Sequence, residues 1–410
     1  MEAVQQQLLY CLAAYKRGER QAESAGLNGE EWERLYLAAA IHKMQPMVFE
    51  TMWSVPGFCE GHRELLLRWR RETLMQTAGQ TARSRRIVEL SALLRERRIA
   101  HAVVKGVVCR ELYSRPDLRP SGDEDVYVHP DDRERCGAVF AEQGLKLAQR
   151  DDDVDHWNDA GTGLHIELHT SLTSGSKRED EKLEDYFRRE LAHSITVPVT
   201  DGQVSTLPHT AHLVFLVCHA LKHFLTGGFG VRTLCDVAAF LEKYHREIDL
   251  TMVQALVEEI HARGFLDQIL AVGEGWLGMN PERWGWEYST KPDPEELLLD
   301  CLEAGVYGQS TLSRKHSAGM VMQAAEDKKS RPGLLHTLFP ARSGMENRYP
   351  VLKKHPVLLP ACWVHRICKY AGEAARGGKD NSPVESVSLG KKRTEMMVKY
   401  GVFTKRNQKK

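Results

Sequence analysis

Asp123 and Asp125 stand one residue apart at the head of an apolar run, Val126-Tyr127-Val128, and together they form the chain's clearest chemical signal. If that run is a strand, the two side chains project the same way, with Cα atoms roughly 6–7 Å apart. Carboxylates held side by side repel one another unless positive charge lies between them. A hard divalent cation such as Mg²⁺ or Mn²⁺, which prefers oxygen ligands and substrate phosphates, would supply it. A third acid lies in Leu164-His165-Ile166-Glu167-Leu168-His169, whose alternation predicts a half-buried strand. Leu164, Ile166 and Leu168 should face a core, leaving His165, Glu167 and His169 on the opposite side. If the two strands are neighbours, Glu167 joins the aspartates. Three carboxylates can hold two cations about 3.5–4 Å apart, which stabilises the attacking and leaving oxygens of phosphoryl or nucleotidyl transfer. Taken alone, Asp-x-Asp is also a common solvated strand entry, because aspartate favours such boundaries.

The elements around these acids follow from punctuation and periodicity. An apolar strand over 99–104 ends in Lys105-Gly106, a helix starts at about 107, and a turn-rich stretch leads to the Asp123 strand. Pro130-Asp131-Asp132 opens a helix that stops at Gly144. Strands are expected near 145–149 and 204–207. The acid-rich run 151–155 reads as a solvent-facing hairpin connection rather than a metal cluster, since aspartate favours turns.

The ordered series Lys105-Gly106, Glu111-Leu112-Tyr113, Pro116, Arg119-Pro120, Asp123-x-Asp125 and Glu167 resembles the nucleotidyltransferase superfamily typified by DNA polymerase beta. More narrowly, it is similar to a bacterial group in which a Lys-Gly turn precedes an Arg-x-x-x-Asp-x-Asp segment. Cys218-His219 with Lys222-His223, the run Val231-Arg232-x-Leu234-Cys235-Asp236, and the stretch from Tyr349-Pro350 to Trp363-Val364 carry the likeness over most of the chain. The resemblance implies an α+β fold, with a small mixed-sheet nucleotidyltransferase core flanked by N-terminal and C-terminal helical regions. It implies Mg²⁺ or Mn²⁺ on Asp123, Asp125 and Glu167. It also implies donor phosphates against Lys105, Gly106, Arg119, Lys222 and His223, and acceptor or orienting roles for His165, His169 and His219. The superfamily places Gly-Ser where this chain has Lys105-Gly106-Val107, so a hydroxyl contact to the triphosphate is missing and Lys105 is left to act as a point charge or to pair with the carboxylates.

The implied reaction is transfer of a nucleotidyl group from a nucleoside triphosphate to a small-molecule or peptide acceptor. Sugar transfer from a nucleotide sugar to a phosphorylated peptide is a second reading. A non-catalytic nucleotide-binding or antitoxin-like scaffold is a third, weakened by the three mutually repelling acids it would have no reason to keep.

Each feature also has a purely structural reading. Arg119 could make a turn contact, and Arg232 and Asp236, at i and i+4, could pair on a helix surface. His212, His219 and His223 recur at spacings of seven and four on one helix face, and no third ligand accompanies His219 and His223 as a zinc pair.

At 410 residues the chain has room for two or three domains. With 56 basic and 56 acidic residues there is no global field to draw it to nucleic acid or a membrane. Nine scattered cysteines without C-x-x-C spacing suit reduced thiols and a cytoplasmic location. No run approaches 18 apolar residues, so no membrane span is expected. The expected organisation is a helical region 1–98, a nucleotidyltransferase core 99–207, a helical domain 208–328, a closing helical segment 329–376 and a disordered basic tail 377–410. In the first region Leu35, Leu37, Ala38, Ala39, Ile41 and Met44 mark one helix. Leu74, Ile87, Leu90, Leu93 and Leu94 mark the apolar face of a long charged one, whose arginines are read as solvated. Trp276, Trp284, Trp286 and Tyr288 read as core or acceptor-pocket walls, and 330–333 as a linker.

Overall fold

A computed structural model describes residues 1–55, 57–173, 178–305, 314, 342, 345, 349–366 and 383–402. Five strands, β1 (His101–Val104), β2 (Glu124–Val128), β3 (Lys146–Arg150), β4 (Val154–Asp159) and β5 (Leu164–His169), form one sheet in the order β1-β2-β5-β4-β3. Only β2 and β5 pair in parallel, and the other three pairings are antiparallel. A parallel pair needs a long crossover. Here the crossover holds the helix Arg133–Glu142 and the β3–β4 hairpin. A separate hairpin, β6 (Ile195–Val199) and β7 (Gly202–Thr206), forms a two-stranded sheet.

Alternation divides the five-stranded sheet into two chemically distinct faces. Val103, Val126, Val128, Trp157, Leu164, Ile166 and Leu168 point to one side and pack with Ile87, Leu90 and Leu94 of the long helix Arg63–Glu96 and with Cys136, Val139 and Phe140 of Arg133–Glu142. Full burial of each such side chain is worth about 1.5–3 kcal/mol. A one-residue slip would turn them all outward, so this face sets the register of the polar one. The α+β class and mixed sheet expected from the sequence are present.

The helical region before the sheet starts cleanly. Asn28 accepts hydrogen bonds from the Glu30 and Glu31 amides, and the Glu31 carboxylate accepts one from the Asn28 amide, which caps Gly29–Ile41. Leu35 and Ala39 are buried as expected, but Leu37, Ile41 and Leu74 are exposed, because the buried stripe on each helix is narrower than its apolar content. The long helix also holds the loop ahead of β2, with Thr81 and Ser84 hydroxyls donating to Asp117 at 2.5 and 3.3 Å and Gln80 Oε1 accepting from the Ser121 amide at 2.9 Å.

The chain divides into two compact units, Met1–His219 with Arg232–Ile260 and Leu266–Pro294, and Ala220–Val231 with His261–Phe265 and Glu295–Lys410. In the first, Trp286 is buried and donates to Asp267 Oδ1 at 3.0 Å, which makes it a core residue. In the second, the Phe224 ring stacks on Phe265 with centroids 5.0 Å apart, and buried Asp300 faces Arg314 at 2.6 Å and Arg393 at 3.8 Å. The expected disordered tail is therefore corrected in part. Pro383–Lys399 is a helix that buries Arg393, Met396 and Met397, because its apolar residues and its one buried arginine have partners to pack on. The linker at 330–333, residues 377–378 and most of 338–348 lie outside the described residues. Among the described residues no helix is long and apolar enough to cross a membrane.

Candidate active site

Three strand pairings build the polar face. Val104 of β1 lies opposite Asp125, Asp125 opposite Glu167, and Glu167 opposite His156 of β4. Residues facing one another across a sheet share its face, so Asp125, Glu167 and His156 form a row perpendicular to the strands. His169, two residues beyond Glu167, shares that face and brings Nε2 within 2.9 Å of Asp125 Oδ1 and 3.4 Å of Glu167 Oε2. His165, two residues before Glu167, lies on the same face beside His156, with His165 Nε2 3.4 Å from His156 Nδ1.

Lys105 closes the row from the end of β1. Its backbone adopts φ 56, ψ −127, a conformation usually left to glycine, which turns the chain sharply out of the strand. Two histidines of the helix His209–Thr226 hold it there. His212 Nε2 accepts the Lys105 amide at 3.1 Å while Thr206 Oγ1 stands 3.1 Å from its other ring nitrogen, and the Lys105 ammonium donates to His219 Nε2 at 2.8 Å. Their spacing of seven, read in the sequence as one helix face, is what brings both to this turn. The same ammonium stands 2.8 Å from Asp125 Oδ2.

The charges are tightly interdependent. Burial opposes ionisation of Asp125, but Lys105 and the hydrogen bond from His169 outweigh it and hold that carboxyl well below its usual range. Burial likewise opposes the charges of Lys105 and His169, yet the surrounding carboxylates raise both. The hydrogen bond from His169 lowers Glu167 against the effect of burial. Asp123 is the exception. Burial and then the Asp125 charge push it up, and among the described residues no hydrogen bond or ion pair reaches its carboxylate. A half-buried acid left without a partner next to another acid is what a cation site looks like from the protein side. Donor atoms of Asp125, Glu167 and His169 also lie within 4.8 Å of one another, so the residues present suit a divalent ion.

Two residues expected to contact phosphate are committed elsewhere. Arg119 is corrected first. It is buried and bound to Asp236 of the helix Val231–Tyr244 through Nε at 2.8 Å and through Nη2, while Tyr113 donates to the same carboxylate at 2.9 Å. Arg232, the other half of the expected i, i+4 pair with Asp236, donates to the Pro120 carbonyl at 2.8 Å. The close approach at Gly106 comes from a residue that sequence reasoning missed. Glu124 lies between the two aspartates and so points to the opposite face, where its Oε2 accepts the Val107 amide at 2.8 Å and its Oε1 accepts from Arg110 at 2.6 Å and Ser121 at 3.1 Å. The carboxylate thus fills the space against the Gly106 backbone that a phosphate was expected to use. His156 was missed as well, although a polar residue two before Asn158 on a strand paired with β5 was the available signal. Asp155 is buried between Arg133 and Arg150, consistent with a hairpin rather than a metal cluster at 151–155. Lys222 is exposed and His223 half-buried near the end of His209–Thr226, both within the second compact unit.

A mixed sheet with two aspartates at the head of one strand, a glutamate opposite the second of them on its parallel neighbour, and a tight turn beside them is consistent with a nucleotidyltransferase core. The sequence family described as uncharacterised nucleotidyltransferase matches residues 28–278, and the chain belongs to that family. No curated protein and no solved structure matches it.

Proposed function

We infer that this protein is a divalent-metal-dependent nucleotidyltransferase, acting in the cytoplasm on a small-molecule or peptide acceptor. The observation that carries the reading is the unpartnered, half-buried Asp123, two positions before the cross-strand Asp125–Glu167 pair. Asp123, Asp125 and Glu167 are the residues that would hold Mg²⁺ or Mn²⁺. When bound, such an ion offsets the charge of the donor phosphates and of the oxygens that exchange at phosphorus.

The chain's own groups do the rest by positioning. Lys105, fixed by His212 and His219, keeps one positive charge at the mouth of β1, where it neutralises Asp125 and can meet a phosphate oxygen. His169 orients the facing oxygens of Asp125 and Glu167. Glu167 is available to take the proton of an acceptor hydroxyl, and His165 and His169 flank it on the strand face from which an acceptor would approach. The described cysteines are free thiols, which supports the compartment.

One observation favours the second reading, transfer of a sugar from a nucleotide sugar. Glu124 already occupies the Val107 amide, so the turn has one donor fewer for a triphosphate, and a diphosphate demands less of it. Mass spectrometry of reactions containing Mg²⁺ or Mn²⁺, the four nucleoside triphosphates, several nucleotide sugars and candidate acceptors separates the two. Pyrophosphate release with an acceptor gaining a nucleotide supports nucleotidyl transfer, and nucleoside diphosphate release with a glycosylated acceptor supports the alternative. Nucleotide binding with no turnover on any pair would overturn both in favour of a scaffold.

A further inference from the structure

The geometry points to a second cation site, rich in nitrogen, formed by His156, His165 and Glu167 on β4 and β5 and suited to zinc(II). The antiparallel register sets Glu167 opposite His156 and His165 opposite Asn158, so all three donors arise from rigid neighbouring strands. Donor atoms of the three residues lie within 4.8 Å of one another.

The ring nitrogens pointing away from the cluster are both engaged. His165 Nδ1 lies 2.8 Å from Asn158 Oδ1, an oxygen that only accepts, so this nitrogen carries the proton. His156 Nε2 faces Asp151 Oδ2 at 3.4 Å. The inner nitrogens, His156 Nδ1 and His165 Nε2, face each other across 3.4 Å as a hydrogen-bonded pair, with Glu167 Oε1 3.8 Å from the former. A metal ion taking the place of the proton between them would have both ring nitrogens and the carboxylate oxygen as ligands.

Their spacing fits a zinc ion. Tetrahedral bonds of about 2.0–2.1 Å set neighbouring donors about 3.3 Å apart, close to the separation of the two imidazole nitrogens. Outer nitrogens set against a carboxylate and an amide oxygen are the usual support of metal-binding histidines. Two imidazoles with one carboxylate match Zn²⁺ far better than Mg²⁺, which selects oxygen. Three protein ligands leave a fourth position open. Glu167 turns Oε1 to this cluster and Oε2 towards His169, so its carboxylate is shared with the acid centre. The site stands whether or not that centre transfers nucleotides.

The test is calorimetric titration of Zn²⁺ into tag-free, metal-stripped full-length protein at neutral pH with Mg²⁺ in excess. A single tight equivalent is expected. His156→Gln and His165→Gln should each weaken it more than about 100-fold, and Asn158→Ala by about 10-fold. Asp123→Asn should bind zinc as the unaltered chain does. Absence of tight binding, unchanged affinity in both histidine variants, or a loss confined to Asp125→Asn would each overturn the site. If a histidine variant fails to fold, Co²⁺ bound to the unaltered chain still decides. Intense visible bands of a four-coordinate ion support the site, and the weak spectrum of a six-coordinate oxygen environment refutes it.

Discussion

A Cβ placed on Gly106 would stand 1.9 Å from Oε2 of Glu124, a carboxylate fixed by the Val107 amide, Arg110 and Ser121. Glu124 cannot swing away without leaving a buried arginine unpaired, and Gly106 itself has φ +33. Gly106→Ala is therefore expected to destabilise the fold by ~3 kcal/mol or more, read as a drop in the midpoint of urea unfolding. An alanine variant of native stability would show that this contact does not restrict position 106.

Asp123 separates chemistry from stability. Asn at this position removes a charge that repels Asp125 and breaks no described bond, so the variant should unfold at the same temperature as the parent or a higher one. Its turnover should fall by roughly 100-fold or more, since a lost metal ligand removes several kcal/mol of charge stabilisation. Added Mg²⁺ or Mn²⁺ should raise the melting temperature of the parent but not of the variant. Asp125→Asn is different, because it also strips the partner from Lys105 and His169 and should lower stability as well.

The acid row was legible because a period of two needs no tertiary information. Once Leu164, Ile166 and Leu168 are assigned to the core, Glu167 must face away, and the same rule aligns Asp123 with Asp125. That rule also places Glu124 on the buried side, but a charged residue between two charged neighbours gives no hint that Arg110 and the Val107 amide await it. The Arg119–Asp236 bond was hidden for a different reason. The partners are 117 positions apart, and a nearer arginine, Arg232, offered a plausible local pair. The histidines at 212 and 219 were visible as a helix face, yet what that face would touch depends on packing that no local pattern encodes.

The Arg119–Asp236 pair provides a third test. Both groups are buried, so Asp236→Asn leaves a guanidinium without its counter-charge and should cost about 3–5 kcal/mol. Replacing both, as Arg119→Met with Asp236→Leu, should cost less than the sum of the single changes in urea unfolding. Additive losses would mean that the two side chains do not form a coupled pair.

Two buried histidines predict how stability depends on pH. Burial lowers His101 to about 4 and His212 to about 3 from an ordinary 6.5. The unfolded chain therefore takes up protons that the native state refuses. Stability is fully present above about pH 6.5 and falls as pH drops below it, by up to about 1.4 kcal/mol per pH unit for each group, until the native pKa is reached. His101→Asn should be less stable at pH 7.5, having lost its contact with Ser91, but should show a shallower decline between pH 6.5 and 4. Denaturation midpoints measured across that range check the slope.

The grip of His212 and His219 on Lys105, and of Asp236 on Arg119, has a bearing on synthesis. A nascent polypeptide that has emerged only as far as β7 already contains every acid of the sheet, yet it lacks the groups that bend the Lys105 turn and anchor the loop leading to Asp123. Excised pieces ending there should bind Mg²⁺ poorly at Asp123 and Asp125 even where their strands form, because the shape of that pocket is imposed by helices translated after it.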